Sequence, residues 1–387
     1  RRLIYLFTAM SQDVFFTREP VINKQRAITA TRLRVHAPAC GDAVAALDAI
    51  GEDWPPARPV FVSLAGCAPD ASLADWIAPE GAMMEVGAVQ LADPACAEAV
   101  LQLAQAGVPL VLGDYKVGTE LPTGLGFRFV MADARVQPVT IRVPGILLAT
   151  GVADPLAFDA AIKAGYGGAT GWFFKANQTT AKKLAPAHAQ IVRVLNLVRR
   201  NADPKQIEDA LKQDVALSFK LLRYINSAGF GLMCQVQSFR HAVVILGYEK
   251  LNKWLSLLLV TAGKDPSAPA LMQAAIARGR LMEVLGAEFF PREEHDNLFI
   301  TGAFSLLDKL LGAPMDTVLE EMTLPDPITD ALLGNDGAYT PFLKLARACE
   351  DVSAGALREL THSLGLDAIQ VNRAQMSALK FADSLEF

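Results

Sequence analysis

Metal chemistry, nucleophilic catalysis and phosphate binding each need a recognisable set of side chains, and these 387 residues offer few of them. His295-Asp296, flanked by Glu293 and Glu294, is the doublet that could pass for a divalent-cation ligand pair. It falls where a helix is predicted to start, a place where solvated acidic residues gather, and it is read as such a start. The other histidines, His36, His188, His241 and His362, show no metal-ligand spacing. His241, near the start of its own predicted helix, is expected to pack or hydrogen-bond. Cys40, Cys67, Cys96, Cys234 and Cys349 are odd in number and include no C-x-x-C pair. Neither a zinc site nor a disulfide framework is expected, and a reducing cytoplasm fits. There is no G-x-S-x-G nucleophile turn and no G-x-x-x-x-G-K-S/T phosphate loop. Gly124-Leu125-Gly126 and Gly165-Tyr166-Gly167-Gly168 read as turns.

The composition is that of a globular protein, 52% hydrophobic and 20% charged, and the length favours two domains. A net charge of −5 with basic residues only in short pairs, such as Lys182-Lys183 and Arg199-Arg200, argues against general nucleic-acid binding. The apolar run at residues 255–260 is far shorter than the ~20 residues of a membrane span, so a buried helix is expected there and no membrane anchor. The opening Arg1-Arg2-Leu3-Ile4-Tyr5-Leu6-Phe7 is only briefly apolar and lacks a small-residue cleavage site, which reads against a secretory leader.

Two kinds of element must position whatever chemistry exists. Short β-like runs are predicted at 14–16, 28–35, 60–64, 82–86, 109–112, 127–130, 145–149 and 168–173. Between several of them lie helix candidates, 42–50, 71–77, 94–106 and 154–164. This alternation predicts a parallel sheet with crossovers, closed into a reduced (β/α)₈ TIM-type barrel because the segment is short for eight full units. Residues 177–189 read as a linker, and Asp203-Pro204-Lys205-Gln206 as a helix N-terminus. Further helices are predicted at 251–262, 269–285, 293–311, 315–322, 327–332, 339–350, 353–364 and 367–385, with no strand among them. The fold class expected is therefore α/β plus all-α.

Within the helical part, one helix is expected from Asp214 to Asn226, and a second runs from Ser238, an N-cap, to Gly247, suited to a left-handed stop. The segments Gln213-Asp214-Val215-Ala216-Leu217, Asn226-Ser227-Ala228-Gly229-Phe230 and the run from Ser238 to Gly247 resemble the signature of an HDOD domain. That family is an all-helical relative of the HD phosphohydrolases without their metal ligands. The resemblance implies that the HD doublet, which follows Gly302-Ala303-Phe304, is replaced by Ser305 and Leu306.

The strand order, with Arg18-Glu19-Pro20-Val21 after the first strand, resembles an EAL domain, the barrel that hydrolyses cyclic di-GMP with two divalent cations. Counting on from Arg18, the resemblance puts Arg32 at the ligand glutamate and His36 at the arginine that grips a phosphate. It puts Ser63 at the ligand asparagine and Glu85 at the next glutamate, which is kept. The paired aspartates become Gly113 and Asp114, and the catalytic lysine becomes Met131, with Asp133 kept two residues later. Thr150 and Thr170 stand for the last glutamate and the glutamine. A guanidinium among the two surviving carboxylates repels a cation, so Arg32 is expected to pair with Asp114 or Glu85.

The expected organisation is a degenerate EAL-like barrel at 12–176, a linker at 177–189 and an HDOD domain at 190–387. What the resemblance implies is a cytoplasmic bacterial signalling protein in cyclic di-GMP-linked regulation, such as motility or biofilm control. It is expected to act through protein contacts, with no catalytic residues, no metal and no cofactor. A phosphodiesterase with an atypical metal site, or a nucleotide sensor, is the alternative. Cyclic di-GMP binding, the identity of the protein partner and homo-oligomerisation stay open. Lys220, Arg223 and Arg240 form a candidate contact face.

Overall fold

The computed structural model describes residues 14–55, 57–136, 145–176, 184, 186–212, 239–260 and 266–385. The opening residues and most of the 213–247 signature, with Lys220 and Arg223, lie outside the described residues, as does the side chain of Arg240.

Eight strands close into a barrel in sequence order: β1 (Phe15–Asn23), β2 (Ile28–His36), β3 (Val60–Ala65), β4 (Ala82–Gly87), β5 (Leu110–Gly113), β6 (Phe127–Asp133), β7 (Ile146–Thr150) and β8 (Gly168–Thr170). From β2 to β8 the neighbours are parallel. The wholly parallel sheet expected from the alternation needs correction at one strand. β1 runs antiparallel to both β2 and β8, because β1 and β2 form a hairpin whose turn is closed by the Asn23 side chain accepting from the backbone of Gln25 and Ala27. β1 is also far longer than residues 14–16 and takes in Arg18, Glu19, Pro20 and Val21.

Pro20 is tolerated in the strand because its side of the backbone faces β8, which has ended at Thr170, so no ladder bond is lost. Between the strands, full helices form only at α1 (Cys40–Ala49), α2 (Pro94–Gln105) and α3 (Pro155–Lys163) among the described residues. Asp93 and Asp154 cap the latter two with their carboxylates. The helix predicted at 71–77 is a 3₁₀ turn, Ala71–Asp75. Alternate residues point inward, and Val21, Ala30, Phe61, Met83, Val111, Met131 and Leu148, with Phe129, fill the lower interior with an apolar plug.

Among the described residues, the helices after the barrel are α4 (Pro186–Arg199), α5 (Pro204–Lys212), α6 (Phe239–Val260), α7 (Ala268–Gly286), α8 (His295–Phe304), α9 (Leu307–Leu311), α10 (Met315–Glu320), α11 (Asp326–Leu333), α12 (Thr340–Ala348), α13 (Gly355–Ser363) and α14 (Ala368–Ser384). Gly247 breaks α6 where a stop is expected, but with φ 73° and ψ 170° it adopts a glycine conformation outside the left-handed helical region. The single helix predicted at 293–311 is divided after Phe304, where the Ser305 hydroxyl donates to the Gly302 carbonyl at 2.6 Å. α7 and α8 approach until a Cβ at Gly302 would lie 2.6 Å from the Arg278 carbonyl, so the contact depends on glycine. No helix among the described residues is long and apolar enough to cross a membrane.

By packing, the chain separates into two compact units, Arg1–Ala176 with Lys344–Lys380, and Asn177–Leu343 with Phe381–Phe387. These do not coincide with the expected division at 12–176, 177–189 and 190–387.

Candidate functional site at the barrel mouth

Above the apolar plug the inward positions turn polar. Two residues beyond Ala30 comes Arg32, and two beyond Met83 comes Glu85; on the reversed β1, Glu19 lies two residues before Val21. The register sets Glu19 opposite Arg32.

Arg32 makes a fork-to-fork pair with Glu85. Its Nε donates to Oε2 at 2.6 Å, and its Nη2 donates to Oε1. Its Nη1 donates to Oε1 of Glu19 at 2.8 Å, and Arg34 donates to that same oxygen at 2.7 Å. The side chains of Arg32 and Glu85 are 12% and 4% exposed, so the pair works at reduced dielectric. Burial opposes the charge on Arg32, but Glu85 and then Glu19 more than offset it and hold the guanidinium charged. Of the two partners expected for Arg32, Glu85 is therefore the one it takes. Asp114 is exposed, with φ 50°, and makes no pair with Arg32. Gly113 makes the arrangement sterically open, since a Cβ there would sit 3.0 Å from Glu85 Oε1.

The surrounding positions follow the same pattern. Asp133 is bound through both oxygens by Arg135, whose side-chain bonds lower the carboxyl below its ordinary range. His36 meets the Thr17 hydroxyl at 2.8 Å. Burial, then the charges of Arg34 and Arg358, push its pKa down to about 4, so the ring is neutral at physiological pH and offers an anion no charge. Ser63 and Thr150 are half-buried, Thr170 is buried, and Met131 is fully buried in the plug.

A two-cation centre needs several carboxylate oxygens free to converge. Here Glu85, Glu19 and Asp133 already give theirs to Arg32, Arg34 and Arg135. The residues present do not fit such a centre, and among the described residues no three His, Cys, Asp or Glu side chains converge as a metal site would require.

The helical unit repeats the theme with different chemistry. Asp296, of the His295-Asp296 doublet, accepts from Lys253 Nζ at 2.9 Å, and Glu283 accepts from the same nitrogen at 2.6 Å. The doublet is thus half-buried in an ion-pair group, not the solvated helix start expected of it. His295 bonds the Phe290 carbonyl at 3.0 Å, and the Lys253 ammonium lies 4.5 Å from the Phe299 ring centroid. Ser305 and Leu306 are both buried, and the Ser305 hydroxyl accepts from Arg278 at 2.9 Å.

Sequence reasoning missed Glu19 and Lys253. The signal for Glu19 was its even spacing from Val21 in a strand read as too short. For Lys253, no local pattern announces a partner 30 and 43 residues away.

The HDOD domain family matches residues 184–311. Over 230 residues, 59% of this chain and 53% of the relative, the chain is 25% identical to the cyclic di-GMP phosphodiesterase CdgJ of Vibrio cholerae. It is 24% identical over 245 residues, 62% of this chain and 59% of the relative, to the protein YuxH of Bacillus subtilis. The chain therefore spans between half and two thirds of the length of these curated relatives. Among solved structures, the EAL domain of FimX from Pseudomonas aeruginosa, bound to c-di-GMP, is similar at a TM-score of 0.32 and 11% identity, over 44% of this chain and 93% of that one. The HDOD resemblance read from the residues between 213 and 247 is borne out by the family match, and the closed eight-strand barrel is the fold the EAL resemblance implied.

Proposed function

We propose that this chain is a binding protein of cyclic di-GMP-linked regulation, built from a barrel without phosphodiesterase turnover and an HDOD domain, and that it acts through protein contacts. The observation that carries the reading is the Arg32 guanidinium held between Glu85 and Glu19 at the barrel mouth. A cation site there would have to expel a charged group bonded through three nitrogens, and leave its two carboxylates to be shared with the metal. The neutral His36 supports the same conclusion for the phosphate side of a substrate. The HDOD match at 184–311 supports a signalling role, as does the likeness to CdgJ, which is itself named a phosphodiesterase.

The test is turnover. Purified chain with Mg²⁺ or Mn²⁺ and cyclic di-GMP is expected to leave the dinucleotide intact over a time in which an active phosphodiesterase linearises it. Turnover that Glu85→Ala abolishes would overturn the reading in favour of an atypical metal site. Calorimetry with cyclic di-GMP separates the remaining possibilities: no heat supports a protein-contact role alone, and saturable heat makes the barrel a nucleotide sensor.

A further inference from the structure

β1 has an unfinished edge. Of β1, β8 pairs with Val21, Ile22 and Asn23 alone, so among the described residues the half of β1 nearest the mouth has a strand neighbour on one side, β2. Its even-numbered residues aim their backbone groups at the vacant side. Buried backbone groups left so would be costly, and an open edge invites strand addition by another chain.

Residues between 349 and 375 meet four of the backbone groups on this side. The amide of Phe16 donates to Asn372 Oδ1 at 3.0 Å, and the Phe16 carbonyl accepts from Gln375 Nε2 at 2.9 Å. The Val14 carbonyl accepts from Asn372 Nδ2 at 2.9 Å, and the Arg18 amide donates to the Cys349 carbonyl at 2.8 Å. Pro20 has no amide to satisfy, and its carbonyl accepts from Gly171. Asn372 and Gln375 are 2% and 0% exposed, too deep to be surface polar residues, and both lie in α14 three residues apart on one face.

Side chains then fasten the same segment. Glu350, 7% exposed, lies beside Arg18 and accepts from Lys175, whose ammonium sits 3.5 Å from the Trp172 ring centroid. The His362 ring meets Phe15 edge-on, the Arg358 guanidinium lies over the Phe15 ring, and Arg373 donates to the Ala49 carbonyl at 2.8 Å.

We infer that residues 344–380 are a built-in edge cap, in which Asn372 and Gln375 take the place of the missing upper half of β8 and make the C-terminal segment part of the barrel. The cap occupies the position a partner's strand would take. Strand addition at this edge is closed to other chains while it is in place, so partner contacts have to use other surface.

Hydrogen exchange on the full chain tests this in two ways. In the wild type under rising denaturant, amides of α13 and of α14 up to Lys380 are expected to open together with β1, at one free energy, and apart from α7 and α8. Opening of α13 and α14 with α7 and α8, while β1 stays protected, overturns the proposal. In Asn372→Ala, protection of the Phe16 amide is expected to fall about tenfold or more, with the amides of β3, β4 and β5 unchanged. An unchanged Phe16 amide in a folded variant also overturns it. Should the variant fail to fold, the wild-type isotherms decide alone.

Discussion

In the barrel, Arg32 reaches two carboxylates with a planar fork, three of its nitrogens donating and Glu85 gripped through both oxygens. In the helical unit, Lys253 also reaches two carboxylates, Glu283 and Asp296, but through one nitrogen, with Asp296 29% exposed. Each place has a tethered cation where acidic side chains gather. The guanidinium fixes both position and orientation of its partners and cannot lose its proton, whereas the ammonium is a point charge on a flexible stem that tolerates displacement. The barrel group is therefore the rigid one, and the helical group the forgiving one.

Removing the guanidinium should break the comparison most visibly. Arg32→Ala leaves Glu85 and Glu19 facing each other in a buried setting and is expected to destabilise the barrel by about 3–5 kcal/mol. Urea unfolding followed by tryptophan fluorescence reports it, since Trp54, Trp76 and Trp172 lie in the unit that contains the barrel. Arg32→Lys should recover only part of the loss, because a single ammonium nitrogen cannot reproduce the two-nitrogen grip on both oxygens of Glu85 while also reaching Glu19. Lys253→Ala is expected to cost less, about 1–2 kcal/mol, and Lys253→Arg to be nearly neutral. Equal losses for Arg32→Ala and Lys253→Ala would remove the distinction between the two groups.

Gly113→Ala probes the space around Glu85. The added Cβ presses on Oε1, and a loss of about 1 kcal/mol is expected, vanishing when Glu85 is also changed to Ala. At neutral pH the smallest effect is that of His36, which acts through pH dependence. His36 stays neutral in the folded barrel down to about pH 4, but takes a proton near its ordinary 6.5 once unfolded. Between these values the unfolded chain binds more protons, so stability rises with pH and is lost on acidification. His36→Gln should flatten that slope of barrel stability between pH 4 and 6.5, with no change above 7.

Much of this was legible in the residues. Val60 to Leu64 and Ala82 to Val86 are runs of strand length, each apolar but for one residue, and they appear as β3 and β4 with one residue added to each. The pairing of Arg32 with Glu85 was readable because motif counting placed both at strand ends of one ring. β1 was legible only at its start, since Arg18, Glu19 and Pro20 look like a loop. They are in a strand because Glu19 finds an ionic partner across the hairpin, Arg32, and Arg18 finds one far along the chain, Glu350. The same limit hid the cap. Asn372 and Gln375 lie in an ordinary helical sequence, and their hydrogen bonds to β1 span more than 350 residues. Propensity and periodicity carry no trace of such contacts.

The central claim, that a tethered guanidinium holds the place of a cation at the barrel mouth, is tested most directly by titrating Mn²⁺ into the wild type and Glu85→Ala chains under electron paramagnetic resonance. The six-line aqueous signal is expected to persist undiminished in both, because Arg32 engages Glu85 and Glu19. A protein-bound Mn²⁺ spectrum in the wild type that Glu85→Ala removes would contradict the account.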